Sequence, residues 1–174
     1  MKLLTLLSLF ALAAFARAET TITMTGLHNC CGSCAKGITK AGTSVGEGVT
    51  VDVPEKSSTI TITSKKKGDA KKAAEAIIAA GYFGKIEGDE SASKSDSKPA
   101  ATKPEAKLTK ATVSGVHLCC KKCETAAADA VKTVAGITKH DIVAKATSFT
   151  VEGEFTKSEL TAALNAAGFA GEIK

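Results

Sequence analysis

The sequence contains no tryptophan and only one tyrosine, and its basic and acidic residues nearly balance. A nucleic-acid binder usually combines a strong basic bias with aromatic side chains placed among the basic ones. If a leader that includes Lys2 and Arg17 is removed, 21 basic residues remain against 18 acidic ones, a net charge of +3. The sequence therefore predicts no nucleic-acid partner.

The chain also lacks the short motifs that mark common catalytic sites. It contains no phosphate-binding glycine loop, no nucleophile elbow and no zinc-protease helix. His140 next to Asp141 has no equivalent elsewhere in the chain, which favours an ordinary surface position. We therefore predict that the protein is not an enzyme.

No apolar run in the sequence is long enough to cross a bilayer. The longest, residues 3–15, follows Lys2 and ends at Ala16-Arg17-Ala18, which has the small-residue pattern of a signal peptidase site. No cysteine follows that site to carry a lipid. We predict a signal peptide over residues 1–18, an exported periplasmic or secreted protein, and no stable membrane anchor after cleavage.

All six cysteines lie in two segments of nine residues. Residues 26–34 read Gly-Leu-His-Asn-Cys-Cys-Gly-Ser-Cys, and residues 115–123 read Gly-Val-His-Leu-Cys-Cys-Lys-Lys-Cys. A second pair of similar segments, residues 79–86 and 166–173, begins with Ala-Ala-Gly in both copies. The repeated spacing predicts two copies of one unit, each with its own thiol site.

The two copies are separated by residues 87–107, a stretch of Ser, Lys, Ala, Pro, Asp and Glu without large apolar residues. Such a segment buries too little to offset the entropy of ordering, so it predicts a disordered linker. Residues 19–86 and 108–174 then form two domains. Gly81 and Gly168 stand where the second helix of each should end.

In each domain the hydrophobic pattern predicts the order strand, helix, strand, strand, helix, strand. This order is that of an α+β, ferredoxin-like βαββαβ domain, in which two helices cover one face of an antiparallel sheet. Each core is small and poor in aromatic residues, so each domain should be only modestly stable alone.

The thiols fall where the first strand of each copy ends and the first helix begins. Cys31 with Cys34, and Cys120 with Cys123, have the C-x-x-C spacing that brings two sulfurs together across the first helical turn. The positive helix end and its unpaired amides lower a thiol pKa, and the thiolate is the metal-binding form. Two thiolates suit a soft ion such as Cu(I), Hg(II) or Zn(II).

In these features both halves resemble the heavy-metal-associated (HMA) domain family, which includes copper chaperones and periplasmic mercury-binding proteins. The resemblance rests on the C-x-x-C at a strand-to-helix turn, the order of elements and the closing Ala-Gly-Tyr82 or Ala-Gly-Phe169. It implies that the C-x-x-C cysteines are ion ligands, with Cu(I) as the first candidate, and that Tyr82 and Phe169 lie near the site. The extra Cys30 and Cys119 depart from the family motif.

The extra thiol and the histidine leave the ligand set open, because a Cys3His set would suit zinc. Adjacent cysteines rarely point at one ion, and a loop histidine is often a turn or cap residue. The full candidate set is His28, Cys30, Cys31 and Cys34 in the first copy, and His117, Cys119, Cys120 and Cys123 in the second.

Two other uses of the cysteines compete with metal binding. Three thiols in a copy cannot all pair within it, and a C-x-x-C loop is too short to staple a domain, which disfavours structural disulfides. Thiol-disulfide exchange is the stronger rival. Against it, a thioredoxin-like enzyme usually places a cis-proline opposite its thiols, and of the three prolines Pro99 and Pro104 lie in the predicted linker.

The sequence thus predicts an exported protein that binds soft metal ions and sequesters them or passes them on by thiolate exchange. Its expected partners are metal ions and a metal-transporting membrane protein or another metallochaperone. The alternative is a thiol-disulfide oxidoreductase. Each unit should hold one ion, unless the two sites face each other and share one.

Overall fold

The computed structural model describes residues 19–66, 68–87 and 105–174. The predicted signal peptide and nearly all of the predicted linker lie outside these residues. The first unit, residues 19–87, contains β1 (Thr20–Thr25), α1 (Gly32–Thr43), β2 (Val49–Asp52), β3 (Ile60–Ser64), α2 (Asp69–Ala79) and β4 (Lys85–Ile86). The second unit, residues 105–174, contains β5 (Leu108–Ser114), α3 (Lys121–Lys132), β6 (Ile137–His140), β7 (Ser148–Phe155), α4 (Lys157–Ala166) and β8 (Glu172–Ile173).

Each unit has one four-stranded antiparallel sheet, with the strand orders β2-β3-β1-β4 and β6-β7-β5-β8. The predicted order of elements is confirmed in both units, and the arrangement is consistent with two ferredoxin-like domains. No helix in the described part of the chain is long and apolar enough to cross a membrane.

The core of each unit lies between its sheet and its helices. In the first unit, alternate residues of β3 are buried, which turns Ile60 and Ile62 toward the helices. The predicted apolar stripe of α2 packs over them, and its four buried residues are Ala70, Ala73, Ala74 and Ile77. Small alanines let the helix approach the sheet closely, so this core is compact but contributes little area per residue.

The two units meet through the segments that follow α2 and α4. Tyr82 and Phe169 form an antiparallel bridge between the units. The Phe83 amide donates to the Gly168 carbonyl at 3.0 Å, and the Ala170 amide donates to the Gly81 carbonyl at 3.0 Å. This pairing brings the cysteine loop of each unit against the closing segment of the other.

Two glycines make this close approach possible. Gly81 and Gly168 have φ angles of +91° and +81°, in the left-handed region where a side chain is strained. A Cβ on Gly81 would lie 2.5 Å from the His117 amide nitrogen, and one on Gly168 would lie 2.3 Å from the His28 amide nitrogen. Both glycines follow the ends of their helices, as predicted, and they also allow the two units to dock.

Candidate metal centre

Each cysteine loop begins with a turn that only glycine adopts without strain. Gly26 and Gly115 follow β1 and β5 with φ angles of +83° and +75°. The next residues, Leu27 and Val116, are buried and anchor the turn in the core. The chain thereby leaves the sheet and rises over its end, where the first helix of each unit starts.

The two loops are fixed differently after this turn. In the first unit the Asn29 side-chain amide donates to the carbonyls of Pro54, at 3.0 Å, and Ser57, at 3.2 Å. In the second unit the equivalent Leu118 is buried among apolar side chains, and its carbonyl accepts from the Lys145 amide. The hydrogen bonds of Asn29, here called the polar clamp, hold the loop in the first unit, and the burial of Leu118 holds the equivalent loop in the second.

The C-x-x-C pairs take equivalent places at the two helix starts. Cys31 and Cys120 are the N-cap residues of α1 and α3, with extended backbones. Cys34 and Cys123 lie in the first turns and are fully buried. Because the first amides of a helix lack internal partners, both helices present positive ends to these sulfurs.

All six sulfurs converge in one cluster between the units. Within a unit, the sulfurs of Cys30 and Cys31 each lie 3.8 Å from that of Cys34, and Cys123 lies 3.6 Å from Cys119 and 3.8 Å from Cys120. Across the units, the distances are 3.4 Å for Cys34–Cys119, 3.7 Å for Cys30–Cys123 and Cys34–Cys123, 3.8 Å for Cys31–Cys119, 3.9 Å for Cys30–Cys120 and 4.0 Å for Cys31–Cys120.

All six cysteines are free thiols. The two predicted thiol sites face each other and form a single group of sulfurs, which is the arrangement that would let the two units share an ion. Equivalent cysteines exchange places under an approximate two-fold relation between the units. Sequence patterns within each copy carried no information on this mutual approach.

The helix start of the second unit favours a thiolate at Cys120. The Cys120 side chain makes no full N-cap hydrogen bond, but the backbone amides of Cys123 and Lys122 stabilise its anion. They lower the pKa of Cys120 to about 7 despite partial desolvation. This sulfur is only half-buried, so it combines reactivity with access from solvent.

The other pKa shifts among the thiols arise from contacts between sulfurs and from burial. The hydrogen bond from Cys123 lowers the pKa of Cys34, and the same contact raises the pKa of Cys123. Burial raises the pKa of Cys30 to about 12 and also raises that of Cys119. A cation in the cluster would replace the thiol protons and relieve the repulsion between thiolates.

Each histidine packs on an aromatic ring of the other unit. The rings of His28 and Phe169 are stacked with centroids 4.5 Å apart, and those of Tyr82 and His117 lie 4.4 Å apart. The Nε2 atoms of both histidines and the Tyr82 hydroxyl are buried without a hydrogen-bond partner among the described residues. Burial lowers the pKa of His28 and raises that of Tyr82.

These contacts place Tyr82 and Phe169 beside the histidines that precede the cysteines. One ring nitrogen of His28 lies within 4.8 Å of the sulfurs of Cys30 and Cys123. His117 lies against Cys34 and helps to stabilise its thiolate. The sequence did not indicate that each histidine faces the opposite unit.

The donors of the cluster fit a soft metal ion. Besides the group that contains His28, three sets of three sulfurs lie within 4.8 Å of one another: Cys30, Cys31 and Cys120; Cys31, Cys34 and Cys119; and Cys119, Cys120 and Cys123. A metal–sulfur bond of about 2.3 Å places two sulfurs on one ion about 3.8–4.0 Å apart. Thiolate donors at these separations suit Cu(I) or Zn(II) far better than a hard cation.

Comparisons with known proteins add little to this geometry. No protein-family model matches the chain, and no curated protein matches it. The solution structure of the N-terminal soluble domains of Bacillus subtilis CopA is similar at a TM-score of 0.31, with 15% identity over 91% of this chain and 95% of that one.

The crystal structure of the first two RRM domains of yeast poly(U)-binding protein (Pub1) is similar at a TM-score of 0.25, with 9% identity over 89% of this chain and 98% of that one. TM-scores this low establish no shared fold. Neither likeness bears on what the chain does.

Proposed function

We propose that this chain is an exported, non-enzymatic protein that binds soft metal ions and sequesters them or passes them on by thiolate exchange. The observation that carries the proposal is the convergence of six free thiols, three from each unit, with neighbouring sulfurs 3.4–4.0 Å apart. Several thiolates this close together repel one another, and a cation bound among them removes that repulsion.

The donor chemistry narrows the range of ions. The described cluster offers sulfur and imidazole nitrogen and contains no carboxylate, so Mg(II) and Ca(II) are poor candidates. Cu(I) is the first candidate because it accepts low coordination numbers with thiolates. Zn(II) and Hg(II) remain alternatives for the same sulfurs.

The exposure of the thiols supports release as well as binding. Cys34 and Cys123 are inaccessible, whereas the other four cysteines, Cys30, Cys31, Cys119 and Cys120, are half-buried. An incoming thiolate can therefore attack the ion from the side of the half-buried sulfurs. The natural acceptor is a dithiol site on a metal-transporting membrane protein or on another metallochaperone.

Transfer distinguishes this proposal from thiol-disulfide exchange. Reduced, metal-loaded protein should deliver its ion to a competing dithiol protein and should not catalyse the reduction of insulin. An oxidoreductase would do the reverse, with activity lost in Cys31→Ser/Cys120→Ser and unaffected by a chelator. Failure of the reduced chain to bind Cu(I), Zn(II) or Hg(II) at all would overturn the metal-binding proposal.

A further inference from the structure

We propose that the six thiolates jointly bind four Cu(I) ions in a single cluster that spans both units, in place of one ion on each C-x-x-C pair. The inference rests on the proposed function, because it assumes that the cargo is Cu(I). It goes beyond that function by giving the nuclearity and by assigning a bridging role to Cys30 and Cys119.

The six sulfurs approximate the corners of an octahedron. Each sulfur has one partner with which it makes no contact, and these three opposite pairs are Cys30 with Cys119, Cys31 with Cys123, and Cys34 with Cys120. All other pairs are neighbours. Most neighbours lie within 4.0 Å, and the two pairs of adjacent cysteines, Cys30 with Cys31 and Cys119 with Cys120, lie within 4.8 Å.

Four triangular faces of this octahedron can be chosen so that every sulfur is a corner of two of them. They are Cys30, Cys31 and Cys120; Cys31, Cys34 and Cys119; Cys119, Cys120 and Cys123; and Cys30, Cys34 and Cys123. An ion on each face has three sulfur ligands, and each thiolate bridges two ions. The approximate two-fold relation converts these faces into the other four, so two equivalent arrangements are available.

The dimensions and the charge fit this assignment. A trigonal centre with metal–sulfur bonds of about 2.3 Å places its sulfurs about 4.0 Å apart, and all neighbouring pairs except the two of adjacent cysteines lie 3.4–4.0 Å apart. Six thiolates with four Cu(I) ions carry a net charge of −2. The positive N-termini of α1 and α3 both meet the cluster, where such an anion is stabilised.

Independent pairs account poorly for Cys30 and Cys119. Each of these sulfurs lies against two cysteines of the opposite unit, and both are partly buried between the pairs. If each C-x-x-C held its own ion, the thiols of Cys30 and Cys119 would be partly buried, at a cost in desolvation, without binding an ion. The two occupied pairs would also bring thiolates of Cys34 and Cys123 into contact at 3.7 Å without a shared cation.

The binding step balances without a redox partner. Counted from the state in which all six thiols are protonated, binding of four Cu(I) ions releases six protons to the solvent. Sulfur and copper keep their oxidation states. Two independent C-x-x-C sites, counted from the same state, would release two protons for each ion.

The decisive experiment is an anaerobic titration of the reduced full chain with Cu(I) under chelator competition. Native mass spectrometry should show the four-copper form accumulating with little two-copper form, and X-ray absorption should show three sulfur neighbours and a copper–copper path. Saturation at two ions, each with two sulfurs and no copper–copper path, would overturn the cluster but leave the proposed function intact. No binding of any soft ion would overturn both.

The double variant Cys30→Ser/Cys119→Ser sharpens the test, because it keeps both C-x-x-C pairs complete. The cluster predicts that bound copper falls from four ions to two or fewer and that the copper–copper path disappears. Independent pairs predict two ions in both proteins with equal affinity. Ser33→Ala, on an exposed side chain in the same segment, should match the wild type. If the variant does not fold, the absorption spectrum of the wild type decides.

Discussion

The two units hold equivalent thiols, but they differ in strand length and in the size of their buried side chains. In the first unit the central strand β3 has only five residues, and Tyr82 is the only fully buried aromatic residue among those described. In the second unit β7 has eight residues, and Phe149, Phe155 and Phe169 are buried. Larger buried side chains remove more apolar surface from water, so the second unit should be the more stable.

The helix starts show the same contrast. The second helix of the second unit begins with a capping box between Thr156 and Glu159, whereas the corresponding helix of the first unit has Gly68 as its N-cap residue and therefore no side-chain cap. The two cysteine loops are nevertheless equivalent, because cysteine occupies the N-cap and first-turn positions of both α1 and α3. Site geometry therefore depends on the turn and the helix start, and the stability of each core is a separate property.

The largest expected effect is on the stability of the second unit. Phe155 is 1% exposed at the end of β7, and Phe155→Ala should lower the free energy of unfolding by about 3–5 kcal/mol. Urea unfolding with hydrogen exchange resolved by unit measures this in the metal-free protein. Val143→Ala, at a 55% exposed site of the same unit, should change stability little. Equal loss of protection in both units would show that they unfold together and that the comparison does not hold.

The second effect separates contact between the units from backbone strain. Gly168→Ala and Gly26→Ala place a side chain at nearly the same φ, +81° and +83°, but only the first collides with the opposite unit. Each should lose about 1–2 kcal/mol from the left-handed backbone. Copper affinity should fall at least tenfold only in Gly168→Ala, because its thiols separate. Competition titration measures the copper affinity of both variants. An equal loss in the two would mean that backbone strain, and not the collision with the opposite unit, lowers the affinity.

The third effect concerns the two ways of holding the cysteine loop. Asn29→Leu copies the residue of the second unit and removes the side-chain donor to the carbonyls of Pro54 and Ser57, of which the Pro54 carbonyl keeps the Ser57 amide as a donor. We expect the first unit to lose about 1–3 kcal/mol, because part-buried carbonyl groups lose the Asn29 donor. Urea unfolding measures the loss. An unchanged midpoint would mean that the polar clamp is dispensable and that the loop is fixed by Leu27 alone.

Much of each unit was predictable, because its determinants are local. Alternating residues in β3, the alanine stripe of α2 and the glycines after α2 and α4 indicated the order and the ends of the elements. The C-x-x-C cysteines were expected at helix starts, where the structure places them. The element order required only the patterns within one copy.

The joint site was not predictable, because nothing in a repeat tells which unit a side chain faces. His28 packs on Phe169 and His117 packs on Tyr82, so the aromatic contact of each histidine comes from the opposite unit. The close approach depends on the missing Cβ atoms of Gly81 and Gly168. Their recurrence in the repeated Ala-Ala-Gly was visible, but it was explained fully by helix termination.

The smallest effect tests the capping difference between the units. The Thr156 hydroxyl accepts from the Glu159 amide at 3.2 Å, and the Glu159 carboxylate accepts from the Thr156 amide at 2.8 Å. Thr156→Ala should cost the second unit about 1 kcal/mol at neutral pH, measured by thermal or urea unfolding. Ser158→Ala, exposed in the same helical turn, is the matched control. Equal and negligible effects from both would mean that this cap does not contribute to the advantage of the second unit.

The pH dependence of that cap follows from the carboxylate. Hydrogen bonds from the backbone and then the side chain of Thr156 lower the pKa of Glu159 below its ordinary value of 4.5. A depressed carboxyl pKa stabilises the folded state above the unfolded pKa, and this contribution is lost as the pH falls through the folded pKa. The gap between wild type and Thr156→Ala should therefore be constant from pH 7 to about pH 5 and should narrow below pH 4. A gap that stays constant to pH 2 would show that the bond from the Thr156 hydroxyl to the Glu159 carboxylate contributes nothing to the difference, since the amide of residue 156 donates to that carboxylate in both proteins.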